Sequence, residues 1–259
     1  MEFETVVLLA LAGTASGAIN AIAGGGSLVT FPTLLALGYP PVIANITNTV
    51  AALPGYLGGA WGYRRELIGQ RRRIVVLGIV TVAGAVFGSA LLLLGSERTF
   101  TAVVPWLVLG STLLLAAQPM LTSLVRRSAL SASASARPRE ALRWAGLGQL
   151  GVAVYGGYFN AGLGIMMLGV LGIALHETLH RVNALKSVLS VVASAVSLVY
   201  FATFATVAWP AAAVIAIAGL LGGWLGAAFG RRLPVPLLRW SVVTFGLIVF
   251  LVLLVKNAS

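Results

Sequence analysis

This 259-residue chain has no aspartate and no cysteine, and only two histidines and two lysines. Without cysteine there is no disulfide, no thiol chemistry and no cysteine-ligated metal. All six acidic residues are glutamates, set against 17 Lys and Arg, for a net charge of +11. Charged residues make up 9% of the chain and hydrophobic ones 59%. A soluble domain averages about 25% and about 45–50%, so that balance excludes an ordinary soluble domain.

What the chain has instead is long uncharged stretches. Residues 5–63, 74–96, 99–125, 144–175 and 187–230 contain no Lys, Arg, Asp or Glu. A membrane span needs about 20 apolar residues, so an all-α polytopic membrane protein is predicted. The arginines cluster between the runs: Arg64 to Arg73, Arg126 to Arg143, and Arg231 to Arg239. That is the pattern the positive-inside rule produces in cytoplasmic loops. It accounts for the basicity without nucleic acid as a partner. The opening Met1-Glu2-Phe3-Glu4 lacks the basic stretch of a cleaved signal peptide, so the first apolar run is expected to be retained.

The stretch 120–142, rich in Ser and Ala between arginines, reads as a flexible cytoplasmic linker. It separates residues 1–119 from 143–259, and the two halves look alike. A shift of 138 positions lays "AGGGS" (23–27) on "AGLGI" (161–165) and Asn45 on Asn183. Residues 144–175 are too long for one helix and too short for two full spans, and the Gly-x-Gly near the middle would break them into a hairpin. Residues 5–38 have the same shape around "GGGS". Counting each as a hairpin gives five segments per half, an odd number, so the repeats are inverted and all three arginine clusters fall on the cytoplasmic side. Counting each as one span gives eight spans in parallel 4+4 repeats and puts Arg231 to Arg239 outside, against the charge rule. Trp61, Trp144, Trp209 and Trp240 fall near predicted helix ends, where they form an aromatic belt or simply fill the core. Inverted repeats with broken helices are a transporter architecture, with sites near the bilayer midplane.

One motif competes with that reading. "HETLH" (176–180) matches H-E-x-x-H, in which two histidines on a helix hold zinc and the glutamate is the general base. A third protein ligand is required. Both histidines are already used, and Glu2, Glu4, Glu66, Glu97 and Glu140 all lie outside the apolar runs. In the 138-residue register the motif aligns with "GYPPVI" (38–43), a turn by virtue of its prolines. HETLH is therefore expected to span a loop and the start of a helix, with Thr178 able to cap it. His176, Glu177 and His180 remain candidate coupling residues, and no metal or other cofactor is expected.

Candidate binding residues gather at the breaks. Gly24, Gly25 and Gly26, with Ser27 at the cap position, open the second arm of the first hairpin. Asn160, Gly162 and Gly164 stand at the second. Glycine turns let backbone approach a ligand, and each helix start offers free N–H groups and a positive dipole end to an anion. The alternative is close helix packing through small residues. Asn45 and Thr49, four apart, share a helix face with Asn48 nearby, and the matching positions are Asn183, Ser187 and Lys186. Such groups line a cavity or tie helices together by hydrogen bonds. Lys186 precedes the uncharged run 187–230. A lysine at the bilayer centre costs roughly 2.5–3.5 kcal/mol, which a bound anion would offset, unless the side chain snorkels to the interface.

The segments "NAIAGGGSLVTFPTLLALGYPP" (20–41), "ANITNTVAALPG" (44–55), "GYRREL" (62–67) and "RVNALKSVL" (181–189) together resemble the TauE/SafE family, also called the toluene sulfonate uptake permease family. The likeness covers nearly the whole chain. It implies a bacterial inner-membrane transporter, without enzymatic activity, for a small sulfur-containing anion, sulfite or an organosulfonate such as sulfoacetate. Alternating access around an anion held between the two glycine turns and the two Asn helices, in the direction of export, is the mechanism expected. The partners implied are that anion and the lipid bilayer, with a second copy of the chain as a candidate. Asn160-Ala161-Gly162-Leu163-Gly164 departs from the fuller glycine triplet such proteins often carry, which speaks against equal participation of the two hairpins. An anion channel, an intramembrane protease and a non-transporting scaffold are the competing readings.

Overall fold

The computed structural model describes residues 1–22, 25–130, 138–229 and 235–258. Among them there are eleven helices. The uncharged runs fold as helices because backbone polar groups in lipid must be satisfied within the segment.

The first run forms a hairpin of α1 (Phe3–Ile22) and α2 (Ser27–Ala36). α3 (Pro41–Gly62) follows, its first residue a proline whose missing N–H costs nothing there. α4 (Arg71–Leu94) and α5 (Glu97–Ala116) complete the first half, and the Ser96 hydroxyl caps α5 by accepting from the Thr99 N–H at 3.0 Å. α6 (Gln118–Leu130) comes next. The second hairpin is α7 (Pro138–Tyr158) with α8 (Leu163–Leu175), and α9 (Leu179–Phe204), α10 (Trp209–Phe229) and α11 (Val235–Ala258) end the chain. Both long runs thus break where the glycines predict. α2 is about 15 Å long and α8 about 20 Å, against a hydrocarbon core of about 30 Å; each crosses only part of it.

Among the described residues, four helical stretches are long and apolar enough to cross a membrane by length and composition: Phe3–Asn20, Arg71–Leu94, Glu97–Ala116 and Leu179–Phe204. Large apolar side chains such as Ile79, Phe87, Leu94, Val199 and Phe204 are exposed on the outside of the bundle. In water that surface would aggregate, and in lipid it is matched to its solvent. Trp61, Trp144, Trp209 and Trp240 are between 52% and 71% exposed, so they are not core filler. Trp61 also carries the Arg64 guanidinium over its ring at 5.0 Å.

The segment 120–142 differs from its expected linker character. Residues up to 130 belong to α6 and those from 138 belong to α7. α6 packs on α8: Val125 is fully buried against Gly172, Leu121 lies over Gly169, and the Ser128 hydroxyl donates to the Ile173 carbonyl at 3.3 Å. Leu121 and Val125 are one turn apart, so a short apolar stripe wins over the low-complexity composition around it.

Residues 1–119 and 143–259 interleave and are not separate bodies. The most extensive interfaces pair α1 with α10 and α4 with α7, and α3 crosses both α9 and α10. The first two are close because glycine allows it. A methyl group at Gly17 would overlap the Gly219 carbonyl, and one at Gly88 the Val154 carbonyl. α3, α4 and α5 begin at 41, 71 and 97, and α9, α10 and α11 begin 138 positions later, at 179, 209 and 235.

Candidate functional site

The first hairpin turns at Gly25, whose φ of 93° is open to glycine at no cost. Gly26 caps α2, and its N–H donates to Asn20 Oδ1 at 2.8 Å, so a side chain of α1 satisfies one free donor of the helix start. The expected cap by Ser27 is not made: Ser27 is the first helical residue, and the cap position is held by Gly26, which has no side chain to accept from the helix. A methyl group at Gly26 would overlap the Ser16 carbonyl. Gly24 lies outside the described residues.

The second hairpin is pinned by aromatic rings. Phe159, buried, meets Phe31 edge-on at 5.2 Å and Tyr155 at 6.2 Å. The Tyr155 hydroxyl donates to the Ala161 carbonyl at 2.7 Å. Gly162 then adopts φ 80° as the cap of α8, close against Ser111 of α5. The two bends meet, since a methyl group at Gly25 would lie 3.5 Å from Ile165 Cδ1 and from Leu115 Cδ1. The N-termini of α2 and α8, with their positive dipole ends, are therefore brought to one place.

Around the bends the polar residues sort into two groups. In the first, Asn48 Oδ1 accepts from the Thr30 hydroxyl, beside Asn20 and Gly26. Asn45 Nδ2 donates to the Tyr158 carbonyl at 2.8 Å, and the Thr49 hydroxyl donates to the Asn45 carbonyl at 2.8 Å. Asn45 Oδ1 is buried without a partner. In the second, Asn160 is 1% exposed with Nδ2 unpartnered, and its Oδ1 accepts from the Tyr56 hydroxyl at 3.4 Å. The Lys186 side chain lies along Gly164, where a methyl group would be 3.9 Å from Nζ. Among the described residues no hydrogen bond or ion pair engages that ammonium. Ser187 donates to the Asn183 carbonyl at 2.8 Å and sits at the crossing of α9 with α3, near Gly59.

The expected anion-sized cavity is not open. Ser16, Asn20, Thr30 and Asn48 line a space of about 10 Å³ beside Gly13, Gly17 and Gly55, enough for about one water molecule. Ile165 and Leu115 fill the gap between the bends. A second space, an open groove of about 420 Å³ on the outer surface between α4 and α9, is walled by Val82, Val86, Val196, Val199 and Phe204 and has little polar surface to offer an anion.

HETLH lies at an edge of this arrangement. His176 ends α8 in the left-handed region with φ 50°, Thr178 precedes α9, and only Leu179 and His180 are helical. The motif spans a loop and a helix start, as its alignment with the Pro-Pro turn predicts, though the Thr178 side chain makes no capping bond. The two histidines do not share a helix, and among the described residues no three His, Cys, Asp or Glu side chains come together. Glu177 instead accepts from Arg73 Nη1 at 2.6 Å and pairs with Arg181 Nε at 3.0 Å.

Four polar residues outside the sequence-derived set take part. Asn20, Thr30 and Tyr56 join the bends, and Gln70, 1% exposed, donates to the carbonyls of Glu66 and Arg181 at 2.9 and 3.1 Å. Asn20 and Thr30 flank the glycine triplet within apolar helices, a signal of the kind that marked Asn45. Nothing local marks Tyr56 among the other aromatics.

The sequence profile of the sulfite exporter TauE/SafE family matches residues 9–253. A probable membrane transporter protein of Haemophilus influenzae is 26% identical over 240 residues, covering 93% of this chain and 91% of that one. A probable membrane transporter protein, ORF9, of a Sinorhizobium species is 24% identical over 243 residues, covering 92% and 89%. These are transporters, not enzymes, which leaves HETLH without a protease to belong to. With two glycine-broken hairpins whose bends come together inside an apolar bundle and the profile running almost the full length, the chain belongs to the sulfite exporter TauE/SafE family of membrane transporters.

Proposed function

We propose that this protein exports a small sulfur-containing anion, sulfite or an organosulfonate such as sulfoacetate, across the bacterial inner membrane by alternating access. The observation that carries the reading is Lys186, an ammonium set against Gly164 at the start of α8 with no counter-charge among the described residues. A positive helix end and a half-buried lysine without a counter-charge, set side by side, call for a negative partner. Asn160 Nδ2, buried without an acceptor, points the same way. Gly25, Gly26 and Ser27, with Asn45, Asn48 and Thr49, form the first half of the site. Asn160, Gly162, Gly164, Asn183, Lys186 and Ser187 form the second.

Inverted repeats support the mechanism. A shift of 138 turns α1 on α10 into α7 on α4, and α3 on α10 into α9 on α4, while α3 on α9 and α5 on α11 map onto themselves. The first hairpin then dips in from outside and the second from the cytoplasm, with the arginine-rich stretches 64–73, 126–143 and 231–239 on the cytoplasmic side. The packed bends represent an occluded conformation, and their separation on one side admits the anion. A space for one water favours this over an open channel.

A monovalent anion leaving a cell at about 100 mV, inside negative, gains about 2.3 kcal/mol, so export requires no coupling ion. Efflux from proteoliposomes tests the reading. Saturable loss of sulfite or sulfoacetate that responds to voltage and ignores a pH gradient supports it. Non-saturating flux would make the protein a channel, and strict dependence on the pH gradient would return Glu177, His176 and His180 to a coupling role.

A further inference from the structure

At the start of α8, hydrogen-bond donors are poorly matched by acceptors. The Tyr56 hydroxyl, carried in from α3, donates to the side chain of Asn160, the residue leading into α8. Its bond to Asn160 Oδ1 is 3.4 Å long, well beyond the roughly 2.7–2.8 Å of a good hydroxyl bond. Asn160 Nδ2 has no partner at all, and Lys186 brings three further N–H donors to the same half-helix. A group of donors this poorly satisfied is set for an acceptor that arrives from elsewhere.

We propose that Tyr56 is a substrate-contacting residue that selects oxyanions: its hydroxyl leaves the long bond to Asn160 and donates to an oxygen of the anion held at Lys186. The inference rests on the anion site described above and adds to it a residue from the other half of the chain. Only the phenolic proton has to rotate, so the ring keeps its place on α3. Lys186 and the helix end attract charge of any shape, halide included. Directional donors such as the Tyr56 hydroxyl and Asn160 Nδ2 separate an anion bearing several lone-pair oxygens from a spherical one.

The test is ligand-induced thermal stabilisation of the detergent-solubilised full chain by sulfite, methanesulfonate and chloride, with Tyr56→Phe, Asn160→Ala, Lys186→Ala and the Tyr56→Phe/Asn160→Ala pair. Tyr56→Phe should melt like wild type without ligand. It should bind sulfite and methanesulfonate about tenfold more weakly, as for loss of one hydrogen bond to a charged group, with little change for chloride. In the Asn160→Ala background the same substitution should cost less, because both donors serve one anion; this coupling is read from affinities and survives a moderate loss of stability. If Tyr56→Phe binds and discriminates like wild type while Lys186→Ala loses binding, the role of Tyr56 is overturned and the anion site stands. If none of the three anions stabilises the wild type, the site itself falls and Tyr56 with it.

Discussion

Glu177 Oε1 lies 2.6 Å from Arg73 Nη1, a pair formed across 104 positions of sequence. The second carboxylate oxygen meets Arg181 at 3.0 Å, and the Arg181 carbonyl accepts from Gln70 at 3.1 Å. The loop before α4 is thereby tied to the loop before α9, on the side where the arginines gather.

Breaking that tie should loosen one face of the transporter more than it lowers stability. The side chains are about a quarter to a third exposed, so the ion pair contributes no more than about 1 kcal/mol. Glu177→Gln should shift the melting temperature by only a few degrees and raise the reactivity of a single Ser187→Cys with a membrane-impermeant maleimide added from the arginine-rich side. The cysteine-free chain makes this a clean experiment. Unchanged labelling would show that the pair holds nothing closed.

Lys186→Ala should abolish saturable efflux, and Lys186→Arg should recover part of it, because the charge rather than the ammonium shape offsets the burial of the anion. Uptake and efflux of radiolabelled sulfite in proteoliposomes reads both. Wild-type transport by Lys186→Ala would remove the central support for the anion site.

The crossing of α4 and α7 should not tolerate a side chain at Gly88. Gly88→Val drives methyls into the Val154 carbonyl, and overpacking of this kind costs about 1–3 kcal/mol. Gly78→Val, on the same helix with nothing within 4 Å, is the control. Thermal unfolding in detergent should separate the two by several degrees; equal melting would mean the helices can part freely there.

Gly162→Ala should impair transport more than Gly38→Ala. Both glycines have positive φ, 80° and 85°, and a left-handed conformation costs an alanine about 1–2 kcal/mol. Gly162 additionally abuts Ser111, while Gly38 faces open space. A melting loss shared by both variants with transport lost only in Gly162→Ala is the expected result.

Much of this architecture could be read from residue order. The uncharged runs announced the apolar helices, and "AGGGS" and "AGLGI" placed both breaks where Gly25 and Gly162 turn the chain. HETLH could be set aside as a zinc site by counting ligands, and its alignment with a Pro-Pro turn put His176 outside a helix. Asn45, Asn48 and Lys186 stood out because polar groups are costly within apolar runs.

The helix over 118–130 was hidden because it carries Pro119 near its start and runs into the Ser/Ala-rich stretch after Arg127, and only its packing on Gly169 and Gly172 of α8 gives it a buried face. Tyr56 was hidden for a different reason. An aromatic in an apolar helix carries no local sign of which neighbour its hydroxyl will meet.

Order along the chain was enough to determine that the protein lives in a membrane and where its helices break, since span length, charge placement and glycine conformation are local properties. Only the tertiary structure decided which groups face one another: Tyr56 with Asn160, Arg73 with Glu177, Gly25 with Ile165. Helices that are apolar on every side carry no stripe to announce a partner, so their pairing is settled by shape, small residues and the few polar groups that must find each other in lipid.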